Sequence, residues 1–189
     1  MAIHIGKYGF DFTHKEYRGD ISKINYNKNF PYSLPFKKGQ SYMVSQGYDG
    51  AFSHKNINAL DFDMPEGTPV VAIRGGVVVK VEDSFDKQGE TEDFAQYSNY
   101  IIVSHPDGTF ARYAHFKNKS AKVKAGDFVT TSTVLALSGN TGMTTGPHLH
   151  LEVYIPKPSE TIYVKTKFKL GRGFVSLFLK EKQKAIRGY

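Results

Sequence analysis

Short runs of β-branched, aromatic and aliphatic residues, separated by turn-forming residues, recur through the middle of this 189-residue chain. Val, Ile, Tyr and Phe favour extended strands, whereas the intervening Gly, Pro, Asp and Asn favour tight turns. Several short strands at this spacing are typical of an antiparallel architecture rather than a βαβ fold. The pattern predicts an all-β fold of antiparallel sheets, with strands at Pro69–Ile73, Val77–Val81, Tyr100–Ser104, Thr109–His115, Val134–Ser138 and His148–Tyr154.

Two of the predicted connections are short enough to define hairpins. Gly75-Gly76 forms a tight turn, which predicts that the strands on either side of it pair with each other. The segment His105–Gly108 has Pro and Gly where four-residue turns favour them. The polar segment Ser84–Ser98 is long for a connection inside a domain, and it is either the border of a groove or a surface excursion.

Composition divides the chain into three segments. Residues 1–35 are polar, aromatic and aperiodic, and we expect them to form an extended arm or a few edge strands. Residues 36–156 carry the strand pattern and form one domain. Residues 157–189 form a basic tail, in which Phe174, Leu177 and Phe178 at i, i+3 and i+4 predict a short amphipathic helix packed on the body.

The chain has no cysteine, which restricts the chemistry available to it. No disulfide can form and no thiolate can act as a nucleophile or a metal ligand. Any bound metal ion must therefore be held by histidine and carboxylate side chains.

The formal net charge of +7 favours acidic partners such as nucleic acid, anionic lipid or acidic wall polymers, although a basic surface can also be simply solvated. No nucleic-acid motif accompanies the lysines, so we expect no nucleic-acid partner. The apolar runs are too short to span a membrane, and the first thirty residues lack the features of an export signal. The oligomeric state is left open.

The segment Gly146–Glu152 contains two histidines separated by one leucine. In a strand, His148 and His150 point to the same face while Leu149 is buried behind them. One imidazole can then bind a metal ion while the other reaches substrate or water. Such a pair is ambiguous by itself, because many H-x-H pairs bind no metal.

Three further residues are candidates for the same chemistry. His54 lies in a polar stretch, and Asp61 follows seven residues later between Leu60 and Phe62. A carboxylate between apolar neighbours is costly to bury unless it is paired or bound to a cation, although it can also brace a turn. His115 ends a predicted strand, where a single histidine is more often structural than catalytic.

Four blocks of the sequence together resemble the lysostaphin-type M23 metallopeptidases, also called LytM-domain proteins. They are SHKNINALDFDMPEGTPVVAIRGGVV, NYIIVSHPDGTFARYAHF, VKAGDFV and LALSGNTGMTTGPHLHLEVY. Their order and spacing agree with the family over residues 40 to 155. The resemblance implies a groove-shaped antiparallel β fold with one zinc ion on its floor. Carried over by position, His54, Asp61 and His150 match the zinc ligands, while His115 and His148 match the two catalytic histidines.

The resemblance implies a zinc-dependent endopeptidase that hydrolyses peptide cross-links or stem peptides of bacterial peptidoglycan. The alternatives are a LytM-like activator without zinc, which would lack some of the five positions, and a basic module that binds wall polymers. A wall peptidase must act in the periplasm or outside the cell. We therefore expect the natural protein to carry an export segment before Met1.

Two other residues near the motifs have two interpretations each. Glu152 shares a strand face with His150, and it either orients that histidine or forms a surface salt bridge. Tyr113 shares a face with His115, and it either contacts substrate or packs in the core, the second being favoured.

Overall fold

The computed structural model describes residues 25–157 and 160–189, and its regular structure is almost entirely strand. A single 3-10 helix, Glu92–Tyr97, accompanies the strands in these ranges. No helix in the described part of the chain has the length and hydropathy needed to cross a membrane. The strands are β1 Pro31–Tyr32, β2 Ser41–Gln46, β3 Ala59–Phe62, β4 Pro69–Val71, β5 Gly76–Glu82, β6 Gln88–Gly89, β7 Tyr100–Ser104, β8 Phe110–Ala114, β9 Phe128–Val129, β10 Val134–Leu137, β11 Gly142–Met143, β12 Leu149–Pro156, β13 Thr161–Tyr163, β14 Lys167–Leu170, β15 Val175–Phe178 and β16 Lys184–Ile186.

One large antiparallel sheet organises the molecule, in the order β16-β2-β3-β12-β8-β7-β5-β9, with β13 added beside β12. Three smaller sheets surround it: β1-β14-β15, β10-β4 and β11-β6. The all-β, antiparallel prediction is confirmed. The turn His105–Gly108 joins β7 to β8, which pair along their whole length as expected.

The longest strand, β12, lies between β3 and β8 and separates two apolar clusters. Leu149, Leu151 and Val153 belong to the main core, whereas Tyr154 packs on the other side of the strand against Phe110. Alternate residues of a strand point to opposite faces, so burial of the leucines directs His150 and Glu152 away from the main core. The sheet thus presents a polar strip on one face of its central strand.

The C-terminal segment is part of this architecture. Strand β16 extends the large sheet beside β2, and β14 pairs in parallel with β1. The buried Arg187 guanidinium donates hydrogen bonds to the carbonyl oxygens of Leu34, Phe36 and Thr131. Backbone carbonyls buried beside a guanidinium gain charge-assisted hydrogen bonds. These contacts join the end of the chain to the residues that precede the central domain, while the three-segment division stays a prediction.

The arm expected at residues 1–35 is described only from residue 25 onward. Within residues 25–35 the structure has one short edge strand, β1, and the earlier residues lie outside the described part of the chain.

The predicted hairpin across Gly75-Gly76 is wrong. Strand β4 pairs with β10, whereas β5 pairs with β7 and β9. After β4, the backbone of Ile73 bonds to other parts of the chain. Its N–H donates to the Tyr113 hydroxyl, and its carbonyl accepts from the Ser33 N–H. Because residues 70–73 are buried, their backbone pairs with other segments rather than folding back on β5.

The predicted amphipathic helix near the C-terminus is also wrong. Residues Val175–Phe178 form β15, which pairs antiparallel with β14. Gly171 and Gly173 adopt positive φ angles of 55° and 88° in the turn, a conformation that glycine reaches without strain. The apolar spacing suggested a helix that buries one face on the body, but Phe174, Leu177 and Phe178 are all exposed.

The β7–β8 turn contains a buried histidine whose charged form is disfavoured. The His105 ring donates from Nδ1 to the Gly75 carbonyl at 3.1 Å, while its Nε2 is buried without a hydrogen-bond partner among the described residues. Burial, reinforced by the nearby Arg74 charge, lowers the pKa of His105 from 6.5 to about 4. Between pH 6.5 and pH 4, His105 is therefore neutral in the folded protein and protonated in the unfolded chain.

We predict that His105 makes the protein less stable as the pH falls from 6.5 to 4. In this range the unfolded chain binds a proton at His105 and the folded protein does not. Protonation therefore lowers the free energy of the unfolded state relative to the folded state. His105→Gln should reduce this loss of stability by up to about 3 kcal/mol, because one pKa unit corresponds to about 1.4 kcal/mol. Urea unfolding of both proteins across the range measures the difference. Parallel curves for the two proteins would contradict the prediction.

Candidate metal centre

The site begins with two side chains that face each other across the β3–β12 ladder. Asp61 of β3 lies directly opposite His150 of β12, and the His150 Nδ1 is 3.0 Å from the Asp61 Oδ1. Leu60 and Phe62, the chain neighbours of Asp61, point into the main core. The alternation of β3 therefore directs the Asp61 carboxylate to the same polar strip as His150.

His54 reaches the same point from the loop before β3. Its ring is fully buried, and its Nδ1–H donates to the Gly47 carbonyl at 2.9 Å. That hydrogen bond leaves Nε2 as the nitrogen available for other contacts. The His54 Nε2 lies 3.2 Å from both the His150 Nδ1 and the Asp61 Oδ2.

The ligand atoms of His54, Asp61 and His150 all lie within 4.8 Å of one another, so the three side chains could hold one metal ion. Two imidazoles and one carboxylate form a donor set that suits zinc, and they leave a fourth tetrahedral position for a water or a substrate atom. The hydrogen bond from His54 to Gly47 fixes the ring orientation, as carbonyl partners commonly do for metal-binding histidines.

Electrostatics couples these three groups tightly. Burial opposes ionisation of Asp61, but hydrogen bonds from His150 and His54 prevail and hold its pKa well below the usual range. Burial also opposes the charged form of His150, yet Asp61 and Glu152 raise its pKa to about 9. Without a metal ion the site is therefore an ion pair, and a metal ion must displace the His150 proton when it binds.

The remaining two predicted site residues lie beside this triad. His115 follows β8 with a positive φ of 65°, and its Nδ1–H donates to the Thr141 carbonyl at 2.6 Å. The His148 Nδ1 lies 2.8 Å from the Gly146 carbonyl, and its Nε2 is 3.9 Å from the Asp61 Oδ1. The rings of His115 and His148 are 4.5 Å apart, so the structure brings all five predicted residues together.

The proton affinity of His115 follows from its position in this cluster. Burial, together with the positive charges that His148 and His150 can carry, holds the pKa of His115 well below its usual range. With Nδ1–H donated to a backbone carbonyl, the neutral ring keeps an unprotonated Nε2 that can accept a proton.

Gln46 also contacts the site, although no sequence motif marks it. The Gln46 Nε2 donates to the Asp61 Oδ2 at 2.9 Å and to the Ser53 hydroxyl at 2.8 Å. The pairing of β2 with β3 shifts between Val44 and Gln46, and this irregularity places Gln46 opposite Asp61. Such bulges re-aim side chains near functional sites, but they leave no clear mark in a single sequence.

The structure decides between the two interpretations of Tyr113, and it places Glu152 close to the site. Tyr113 is buried in the core, where its hydroxyl accepts a hydrogen bond from the Ile73 N–H. Glu152 is also buried, with Oε2 at 3.5 Å from the His150 Nε2 and Oε1 at 3.5 Å from Arg112. A carboxylate on the far nitrogen of His150 fixes the ring with Nδ1 turned towards Asp61.

We predict that Glu152→Gln lowers zinc affinity by about 10- to 100-fold, because a neutral amide orients and polarises the His150 ring less strongly. Competition with a chromophoric chelator measures the affinity. Glu66→Gln is the matched control, since Glu66 is half exposed and pairs with Lys117. An unchanged affinity in the Glu152 variant would mean that this carboxylate serves only its pair with Arg112.

The chain's similarity to a known protein family fits this site geometry. Residues 55–162, more than half of the chain, match the model of peptidase family M23. The matched stretch contains Asp61, His115, His148 and His150, and it begins directly after His54.

Individual relatives are similar over parts of their length. The chain is 35% identical over 156 residues to an uncharacterised metalloprotease of Buchnera aphidicola subsp. Baizongia pistaciae, covering 79% of this chain and 37% of that protein. It is 38% identical over 98 residues to the peptidoglycan DD-endopeptidase ShyA of Vibrio cholerae, covering 52% of this chain and 20% of that protein. The chain thus spans well under half the length of these two relatives.

A solved structure shows the same fold. The M23 metalloprotease pseudoalterin from the deep sea superimposes with a TM-score of 0.52 at 17% identity, covering 82% of this chain and 94% of that one. With more than half of its length matched by the family model, the chain belongs to peptidase family M23.

Proposed function

We propose that the chain is a zinc-dependent endopeptidase that hydrolyses peptide cross-links or stem peptides of bacterial peptidoglycan. The observation that carries the proposal is the convergence of three metal-binding side chains and two further histidines on one polar strip. The substrate class is supported by relatives such as ShyA, which is named a peptidoglycan DD-endopeptidase.

In this proposal His54, Asp61 and His150 hold the metal ion. When bound, zinc supplies a Lewis acid beside the scissile carbonyl. Glu152 keeps the His150 ring in the orientation that presents Nδ1, and the Gly47 carbonyl does the same for the His54 Nε2. Gln46 donates to the Asp61 Oδ2, which leaves the carboxylate fixed in position.

His115 and His148 handle the protons. Each ring is anchored at Nδ1 by a backbone carbonyl, of Thr141 and Gly146 respectively, so each keeps Nε2 for the reaction. One imidazole takes a proton from the attacking water and returns it to the leaving amine, while the other, protonated on both ring nitrogens, stabilises the negative charge that develops on the carbonyl oxygen. An H-E-x-x-H motif is absent from the sequence, so that motif's glutamate base is not available here.

We also propose that the protein acts in the periplasm or outside the cell, where peptidoglycan is found. The relatives named as peptidoglycan endopeptidases support this location. A net charge of +7 would favour contact with acidic wall polymers.

The first prediction concerns metal content. Protein reconstituted with zinc should contain about one zinc ion per chain, because the site offers three protein ligands in one cluster. Asp61→Ala and His150→Ala should lose it, as measured by elemental analysis after gel filtration. Asp63→Ala, an exposed carboxylate two residues away, is the matched control and should retain zinc. A wild-type protein that binds no zinc would overturn the enzymatic proposal in favour of a non-catalytic LytM-like activator.

The second prediction separates catalysis from metal binding. His115→Ala and His148→Ala should keep zinc and the fold but lose about 10²- to 10⁴-fold in hydrolysis rate, the usual contribution of general acid–base catalysis. Digestion of purified peptidoglycan sacculi, followed by mass spectrometry of the released peptides, measures the rate and identifies the bond. If either variant loses its zinc, that histidine is a metal ligand and its assigned role is wrong.

A further inference from the structure

The net positive charge of the chain comes from its C-terminal segment. Residues 157–189 contain nine Lys and Arg against two Glu, whereas residues 1–156 contain sixteen basic and sixteen acidic residues. The whole net charge of +7 therefore belongs to the last 33 residues. These residues include the hairpin formed by β14 and β15, which has no part in the metal centre.

The same hairpin exposes apolar side chains. Phe174 at its tip is 90% exposed, and Val175, Leu177 and Phe178 of β15 are 54%, 49% and 43% exposed. Val175 pairs with Leu170, and Leu177 pairs with the buried Phe168, so these two side chains share one face of the hairpin. Phe178 emerges on the other face, opposite Lys167. Apolar side chains are thus exposed at the tip and on both faces of the hairpin.

Exposed cations lie in the turn before β15 and in the segment that follows it. Arg172 lies in the turn beside Phe174, and Lys180, Lys182 and Lys184 follow β15. None of these four cations has a carboxylate within 4.0 Å in the described ranges. An exposed apolar tip on a segment that carries net positive charge is the combination that binds the interface of an anionic bilayer.

We propose that the β14–β15 hairpin docks the protein on an anionic lipid surface, with Phe174 inserted among the acyl chains and the cations of the C-terminal segment on the headgroups. A second copy of the chain fits the hairpin less well, because pairing two β15 edges would bring segments of like charge together. An acidic polysaccharide would satisfy the cations, but it offers no apolar phase for a side chain that is 90% exposed at a tip.

The chain contains no tryptophan, which allows a direct test of insertion. Phe174→Trp introduces a single fluorophore at the tip, and Phe128→Trp places one at a site of similar exposure (86%) on β9. With phosphatidylcholine vesicles containing about 30% phosphatidylglycerol, the emission at position 174 should shift to shorter wavelength and that at position 128 should not. No shift at position 174, or equal shifts at both positions, would overturn the proposal.

Co-sedimentation of the full chain with the same vesicles tests affinity. Phe174→Ser should weaken binding about tenfold or more, since burial of one Phe side chain contributes on this scale. Joint Arg172→Gln and Lys180→Gln changes should weaken it as well, and ~0.5 M salt should abolish most of it because charges are screened. Phe128→Ser and Lys124→Gln, both at exposed positions outside the hairpin, are the matched controls.

The other occupants give distinct results that would overturn the proposal. Dimerisation lost in Phe174→Ser, seen by analytical ultracentrifugation without vesicle binding, would assign the hairpin to a second copy of the chain. Retention on purified sacculi that depends on Phe174, again without vesicle binding, would assign it to a wall polymer. Vesicle binding that is unchanged in Phe174→Ser would mean simple electrostatic attraction. None of these measurements depends on peptidase activity.

Discussion

The pairing of β12 with β3 on one side and β8 on the other is the constraint on which the rest of the site depends. It places His150 opposite Asp61 in one ladder and opposite Ala114 in the other, one residue before His115. A slip of one residue would turn His150 into the core and expose Leu149 and Leu151. Each buried leucine contributes about 1.5–3 kcal/mol, so hydrophobic burial fixes the register that assembles the polar site.

The polar strip is tolerable inside the protein because its groups satisfy one another. The buried Asp61 carboxylate accepts hydrogen bonds from Gln46 and from the ring of His150, and the His54 Nε2 lies 3.2 Å from its Oδ2. His54, His115 and His148 each spend one ring nitrogen on a backbone carbonyl. An unpaired charge buried in this position would cost several kcal/mol, and the network avoids that cost. The second ring nitrogen of each histidine then points towards the same small volume. The same arrangement that makes burial possible therefore brings imidazole nitrogens and carboxylate oxygens close together.

The C-terminal segment separates structural and surface roles within a few residues. Arg187 and the Tyr189 hydroxyl hold backbone groups around Leu34, so the end of the chain supports the core near β1. Strand β15 sits at the edge of the small β1-β14-β15 sheet, and its apolar side chains are turned to the outside. The physical consequence is a hairpin, joined to the core at its base, whose tip is left exposed among the described residues.

The sequence by itself determined the all-β class and most of the central strands, and it predicted five site residues that the structure brings together. Alternation of apolar and polar residues along a strand is local, and the family-like blocks carry the histidines and the aspartate at fixed spacing. It did not determine which strands pair: the Gly75-Gly76 turn indicated a hairpin, yet β4 joins β10 because buried backbone groups found partners far along the chain. The spacing of Phe174, Leu177 and Phe178 fits a helix as well as an exposed strand, and only pairing with β14 decided between them. The contact of Gln46 with Asp61 depends on a bulge in the β2–β3 pairing. The contacts of Glu152 with His150 and Arg112 depend on strand register. Both features arise from tertiary packing, and no local sequence pattern predicts them.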